Sequence, residues 1–274
     1  MSPRALLLLI AFALPAYGAP FACPPLTHVG ISDLGYLSYQ ENGANHGAAV
    51  DIVAELGKRT GCRFNVEWYP RGRMFVQLSN GQLDLAMSAL RSPERDRAGS
   101  WIPYSYTQFE LLLTSQGGGP FGSLEEFVDH SKGRLNVTRG ITYPPAASAQ
   151  LERLEKQGRL EYVNDYDIVF RKIKAGRADG TLAPPVIHLL HQRRLGIVGL
   201  LRAMSIAEWP RSLTGVYISH ATVSGSVRAG LTSAFNEMVS DGTVQKIYER
   251  YLGPEVTREV FAGGMREILD AYPH

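Results

Sequence analysis

The sequence predicts an α/β protein of two units, each a mainly parallel sheet flanked by helices. Three observations carry this expectation. Short apolar runs alternate with amphipathic stretches from Thr27 onward, glycines stand where those stretches stop, and the alternation begins again after the glycine-rich turn at 117–120. With 274 residues, 45% hydrophobic and 20% charged, the chain can build one large or two small domains and is too apolar to be disordered.

Residues 27–32 read as the first strand. Helical spacing of Val50, Val53 and Leu56 predicts a helix over 48–60, with Gly61 placed to end it. A strand over 63–68 follows, then a short helix carried by Met74, Phe75 and Leu78 and stopped by Gly81. The run 83–88 has the length of a buried strand. Directly after it, Ser92 suits an N-cap, Pro93 the first helical position and Glu94 the positive end of the helix dipole. In the second unit, Ser123 and Glu126 form a capping box. Strands are expected at 134–138, 179–183 and 196–200, and helices at 145–157 and 168–175. A strand at 215–219 and helices beginning near Val227, Val244 and Glu255 complete the chain. There is no internal repeat or low-complexity block.

Arg4, the apolar run 5–14 and the small residues around Gly18 read as a secretory signal peptide over 1–18, cleaved near Gly18/Ala19. A retained anchor is the alternative, although the run is short against about 30 Å of hydrocarbon. A lipoprotein with Cys23 as the lipid-bearing residue is another, which Pro20 and Phe21 fit poorly. The formal charge of +2 falls near +1 once Arg4 is removed, so no bulk attraction to nucleic acid or anionic membrane is implied.

Cys23 and Cys62, the only cysteines, each precede an expected strand. If those strands are parallel neighbours, about 4.8 Å apart, both sulfurs lie at one edge of the sheet. A disulfide is the favoured reading in an oxidising compartment, and free thiols remain the alternative. His188 and His191 stand three apart on an expected helix that carries no Cys, Asp or Glu, so a metal site there is not expected. Ser88 lacks the G-x-S-x-G setting of a serine hydrolase.

Arg95 is out of place by helix energetics, because a cation in a first turn is disfavoured by a few tenths of a kcal/mol. It sits where a strand of an α/β sheet leads into a helix, the place where such sheets bind ligands. A guanidinium beside helix-start N–H groups makes a receptor for a carboxylate or another anion.

Four stretches in order resemble the bacterial extracellular solute-binding proteins of family 3, which serve ABC importers for amino acids and other small polar compounds. They are GAAVDIVAELGKRTG (47–61), LSNGQLDLAMSALRSPERDRAGSWIPYSY (78–106), AGRADGTLA (175–183) and SVRAGLTSAFNEMVSDGTVQKIYERYLG (226–253). The resemblance implies a type II periplasmic-binding-protein fold with two hinge strands. Lobe 1 would hold 19–111 and 215–274, and lobe 2, inserted, 112–214. Crossings are expected near 109–113 and 214–217.

By the same resemblance Arg95 matches the arginine that grips a ligand carboxylate and Ser88 a position that contacts the ligand. Tyr36 matches an aromatic cover, and Thr142 a hydroxyl closing from lobe 2. Pro184 stands where an acidic residue would receive an ammonium, Leu90 where a second hydroxyl is common, and Arg71 where an aromatic is common. The carboxylate grip is thus present and the ammonium site absent, with Arg71 and Arg91 as further candidate ligand contacts.

The expected protein is a periplasmic, monomeric receptor, not an enzyme. Its expected partners are a small carboxylate-bearing solute and the membrane permease of an ABC importer; no nucleic acid, cofactor or metal is called for. The alternatives are a cyclohexadienyl dehydratase-like enzyme and a receptor for a membrane kinase.

Overall fold

The structure, a computed structural model, describes residues 21–272; the segment read as a signal peptide lies outside them. The first part of the chain forms β1 (Thr27–Ile31), a hairpin of β2 (Tyr39–Glu41) and β3 (Ala44–His46), helix α1 (Ala48–Thr60), β4 (Phe64–Trp68), α2 (Arg71–Ser79), β5 (Leu85–Leu90), α3 (Pro93–Asp96) and β6 (Gly99–Thr107). The middle forms β7 (Glu110–Leu113), α4 (Leu124–His130), β8 (Leu135–Thr138), α5 (Pro145–Lys156), β9 (Leu160–Val163), α6 (Tyr166–Lys174), β10 (Gly180–Ala183), α7 (Pro185–Leu195) and β11 (Arg202–Ser205). The end returns through β12 (Ser212–Ser219) to α8 (Gly225–Ser240), α9 (Thr243–Val260) and α10 (Met265–Asp270).

Two five-stranded sheets result, in the orders β4-β1-β5-β12-β6 and β11-β7-β10-β8-β9. Each is mixed rather than mainly parallel. β1 runs parallel to β4 and β5, but β12 is antiparallel to β5 and β6; β8 runs parallel to β9 and β10, but β7 is antiparallel to β10 and β11. The antiparallel half belongs to the strands next to the two passages between sheets. β6 hands over to β7 through residues 108–109, and β11 returns to β12 through 206–211. Phe109 and Trp209, one from each passage, stack with centroids 3.6 Å apart. The lobe boundary expected at 111/112 therefore lies within β7, and 214–217 within β12.

The local chemistry that forms these elements is plain. In α1 the buried face is Ala48, Ala49, Ile52, Val53 and Leu56, and Gly61 ends the helix in the left-handed conformation at φ 72°. Ser123 Oγ accepts the Glu126 N–H at the start of α4, as its capping box requires, and Asp165 caps α6 by accepting the Ile168 N–H. The strand expected at 196–200 is absent. Gly196 ends α7 with a left-handed cap, Val198 is 75% exposed, and the strand begins instead at Arg202. α9 carries a break at Gly253–Pro254, which is why Glu255 reads as a new helix start.

One edge of the first sheet carries the staple. Cys23 and Cys62 form a disulfide with Cα atoms 5.3 Å apart, and β1 and β4 are parallel neighbours. A single apolar cluster runs from the helices of the first sheet across the gap to Tyr166, Phe170 and Ile187 of the second. Among the described residues, no helix is long and apolar enough to cross a membrane.

Candidate functional site

The gap between the sheets holds a small cavity of about 30 Å³. From the first sheet and its helices it is lined by Leu34, Leu37, Arg71, Ser88, Leu90 and Arg95; Ile141, Thr142, Pro184 and Ile187 face them from the second. Thr107, Phe109 and Thr214 close it at the strands that pass between the sheets.

Arg95 and Arg71 dominate the site. Arg95 enters from α3, with Nη1 donating to the Leu90 carbonyl oxygen at 3.1 Å and Nη2 to that of Gly140 at 3.1 Å. The second bond crosses the gap, because Gly140 follows β8. Arg71, on the first turn of α2, is 6% exposed and donates to the Ser88 carbonyl oxygen at 2.7 Å and to Ser32 Oγ at 3.3 Å. Its Nε is buried with no partner. Phe75, one helical turn beyond Arg71, lies under both guanidiniums, 3.5 Å from Arg95 Cζ and 5.0 Å from Arg71 Cζ to the ring centroid.

Neither guanidinium has a carboxylate partner among the described residues. Burial and then repulsion from Arg95 pull Arg71 down to about 9, and burial pulls Arg95 down to about 10. Both stay cationic at neutral pH. A buried Arg71 and a half-buried Arg95 without a counter-ion are costly, and an anion entering from solvent relieves that cost.

Ser88 is held in an unusual backbone state. Its φ is 55°, in the left-handed region, where the register between β5 and β12 shifts. Bulges of this kind re-aim a residue beside a site. Here the carbonyl of Ser88 turns to Arg71, while its N–H donates to Tyr104 Oη at 3.0 Å and its Oγ lies 2.9 Å from the same oxygen. Burial holds the Tyr104 phenol up at about 12, so it remains protonated and can serve as a donor.

Of the residues expected from sequence, Arg95, Ser88, Arg71 and Thr142 line one cavity. Thr142 lies in the loop ahead of α5 rather than in the helix start itself. Arg91 is not brought there. Its side chain is 64% exposed and pairs with Asp96 at 3.0 Å over the Trp101 ring. Tyr36 also turns away, its ring facing Arg193 of α7 at 5.8 Å, and Leu34 and Leu37 take the lining positions around it. His188 meets Glu110 at 2.9 Å and Gln192 at 2.8 Å, and His191 meets Asp33 at 3.2 Å. Phe75 was missed, although its i, i+4 spacing from Arg71 was readable.

The profile of the bacterial extracellular solute-binding proteins, family 3, matches residues 29–254. The chain belongs to this family. Among its relatives, the L-cystine-binding protein TcyA of Bacillus subtilis (strain 168) is 20% identical over 212 residues, which is 77% of this chain and 74% of TcyA. Among solved structures, an ancestral arginine-binding protein bound to glutamine superposes with a TM-score of 0.69 at 18% identity, covering 85% of this chain and all of that one. The ancestral amino acid-binding protein AncCDT-1, a precursor of cyclohexadienyl dehydratase, gives 0.65 at 20% identity over 83% of this chain and 95% of that one. At such identities the superpositions establish the fold alone. This family 3 protein thus has the two-sheet α/β architecture of periplasmic binding proteins, with its cavity between the sheets.

Proposed function

We propose that the protein captures a small carboxylate-bearing solute between its two sheets and presents the closed form to the permease of an ABC importer. The lobes would meet at residues 108–109 and 206–211, and the secreted chain would lose 1–18 on export. Arg95 would grip the carboxylate, Arg71 would add positive charge, and Ser88 and Thr142 would contact the solute from the two sides. The observation that supports this most is the Arg95 guanidinium, half-buried without an acidic partner and reaching across the gap to Gly140. Contacts from both sides exist only in the closed form, so a solute that makes them shifts the equilibrium toward closure.

The likeness to AncCDT-1 favours a second reading, an elimination enzyme using the same cleft. Such chemistry needs a general acid over the substrate, and no Asp, Glu or His stands among the residues lining the cavity. That composition supports binding over catalysis. A thermal-shift screen of amino acids and organic acids tests the main reading, since a ligand of the folded form raises Tm. A carboxylate should raise Tm of the wild type and not of Arg95→Ala; an undiminished rise in the variant refutes the assignment. Consumption of prephenate or arogenate would establish the enzyme instead.

A further inference from the structure

Resting on the receptor reading proposed above, we infer that the solute carries two anionic groups and no free ammonium, the class of short aliphatic dicarboxylates. The cleft holds two guanidiniums that share one aromatic ring, so their Cζ atoms lie no farther apart than the sum of 5.0 and 3.5 Å. An amino acid of zero net charge leaves both positive charges uncompensated, and a monocarboxylate leaves one. A dicarboxylate cancels both. Arg71 Nε is buried with no partner, so this guanidinium still has an unsatisfied donor that a carboxylate drawn in beside it could satisfy.

No carboxylate in the cavity lining is placed to receive a cation. That lining contains no acidic residue, and Pro184, where β10 leads into α7, offers no side-chain acceptor. Arg71 also borders a neighbouring pocket of about 110 Å³ with Asp33 and Asp165, but these and the other acids beyond the lining already have partners. Asp33 accepts His191 Nε2 at 3.2 Å and the Asp167 N–H at 3.0 Å, and Asp165 caps α6 through the Ile168 N–H at 2.8 Å. Glu110 is held by His188 at 2.9 Å, and Asp96 takes Tyr217 Oη at 2.8 Å together with Arg91. An ammonium brought into the cleft would lose its hydration and gain two cationic neighbours.

Calorimetric titration of the purified protein with succinate, propionate, L-glutamine and L-arginine decides the matter. Succinate should bind at least about tenfold more tightly than the other three, the effect of one extra charge-assisted contact. Arg71→Met should bring succinate down to the level of propionate while propionate itself is unchanged, and Arg95→Met should abolish both. Should Arg71→Met fail to fold, Arg71→Lys keeps the charge and should retain most of the succinate preference. Tighter binding of L-glutamine or L-arginine than of succinate overturns the dianion inference. If that amino acid is in turn lost in Arg95→Met, the receptor reading stands without it. No heat from any probe overturns both.

Discussion

Arg95 Nη2 donates to the carbonyl oxygen of Gly140 at 3.1 Å, and this bond joins a helix of the first sheet to a loop of the second. Gly140 is suited to that approach by its backbone. Its φ is 78°, and a Cβ built there would meet Gly72 N at 2.6 Å and Gly72 Cα at 2.7 Å. Gly140→Ala should therefore obstruct closure, because the nearest obstacle is backbone that cannot rotate aside. Solute affinity should fall at least tenfold, with a stability loss of about 1–2 kcal/mol from the left-handed conformation. Calorimetry and a thermal melt check the pair of effects; full affinity in the variant would contradict the close approach.

Asp33 ties the sheets at a second place. Its carboxylate accepts from His191 Nε2 and from the Asp167 N–H, both on helices of the second sheet. Asp33→Ala strands a His and an N–H in the closed form, where His191 is buried, but not in an open form where water reaches them. The closed form should lose about 1–3 kcal/mol relative to the open one. Small-angle scattering of the solute-free protein should report a larger radius of gyration; an unchanged profile would show that this pair does not hold the gap shut.

Cys23 and Cys62, 39 residues apart in sequence, close a loop around β1 and α1. Removing a cross-link of that span costs about 2–4 kcal/mol by the loop-entropy account. Tm of Cys23→Ser/Cys62→Ser should fall by roughly 5–15 °C in a chain of this size. Melting the wild type with and without reductant should reproduce the difference.

His28 Nδ1 lies 2.5 Å from Glu67 Oε1, and that hydrogen bond raises its pKa above the usual 6.5, with burial opposing and the charges of Glu67 and Asp84 assisting. A pKa raised on folding stabilises the protein fully below the unfolded value and ceases to do so as pH rises through the folded one. The His28–Glu67 contribution should thus be present below pH 6.5 and fade above it. It is small because the side chains are 46% and 31% exposed, and salt should weaken it. An NMR titration of His28 should give a midpoint above 6.5 that returns toward it in Glu67→Gln; a midpoint at or below 6.5 in the wild type would contradict the pairing.

Much of this was legible in the sequence where local chemistry decides the outcome. Ser92, Pro93 and Glu94 mark α3, Gly61 marks the end of α1, and the awkward Arg95 points to the cavity. The misses have physical causes. β6 shows no alternation, since every residue from Ile102 to Tyr106 is buried, so this antiparallel strand was not read from the sequence, whereas 215–219 of its partner β12 was. The β2–β3 hairpin did carry a signal, the Asn42–Gly43 pair with φ of 51° and 77°. Arg91 and Tyr36 show the limit of spacing alone. Which way a side chain leaves a bulged strand or a short 3-10 turn depends on partners such as Asp96 and Arg193, far more than on its place in the chain.

A crystal structure of the protein grown with its tightest-binding carboxylate addresses the central claim most directly. The account predicts a carboxylate oxygen about 2.7–2.9 Å from the Arg95 guanidinium, with Gly140 on the opposite wall. A solute held elsewhere, with Arg95 still bonded to Leu90 and Gly140 alone, would contradict it.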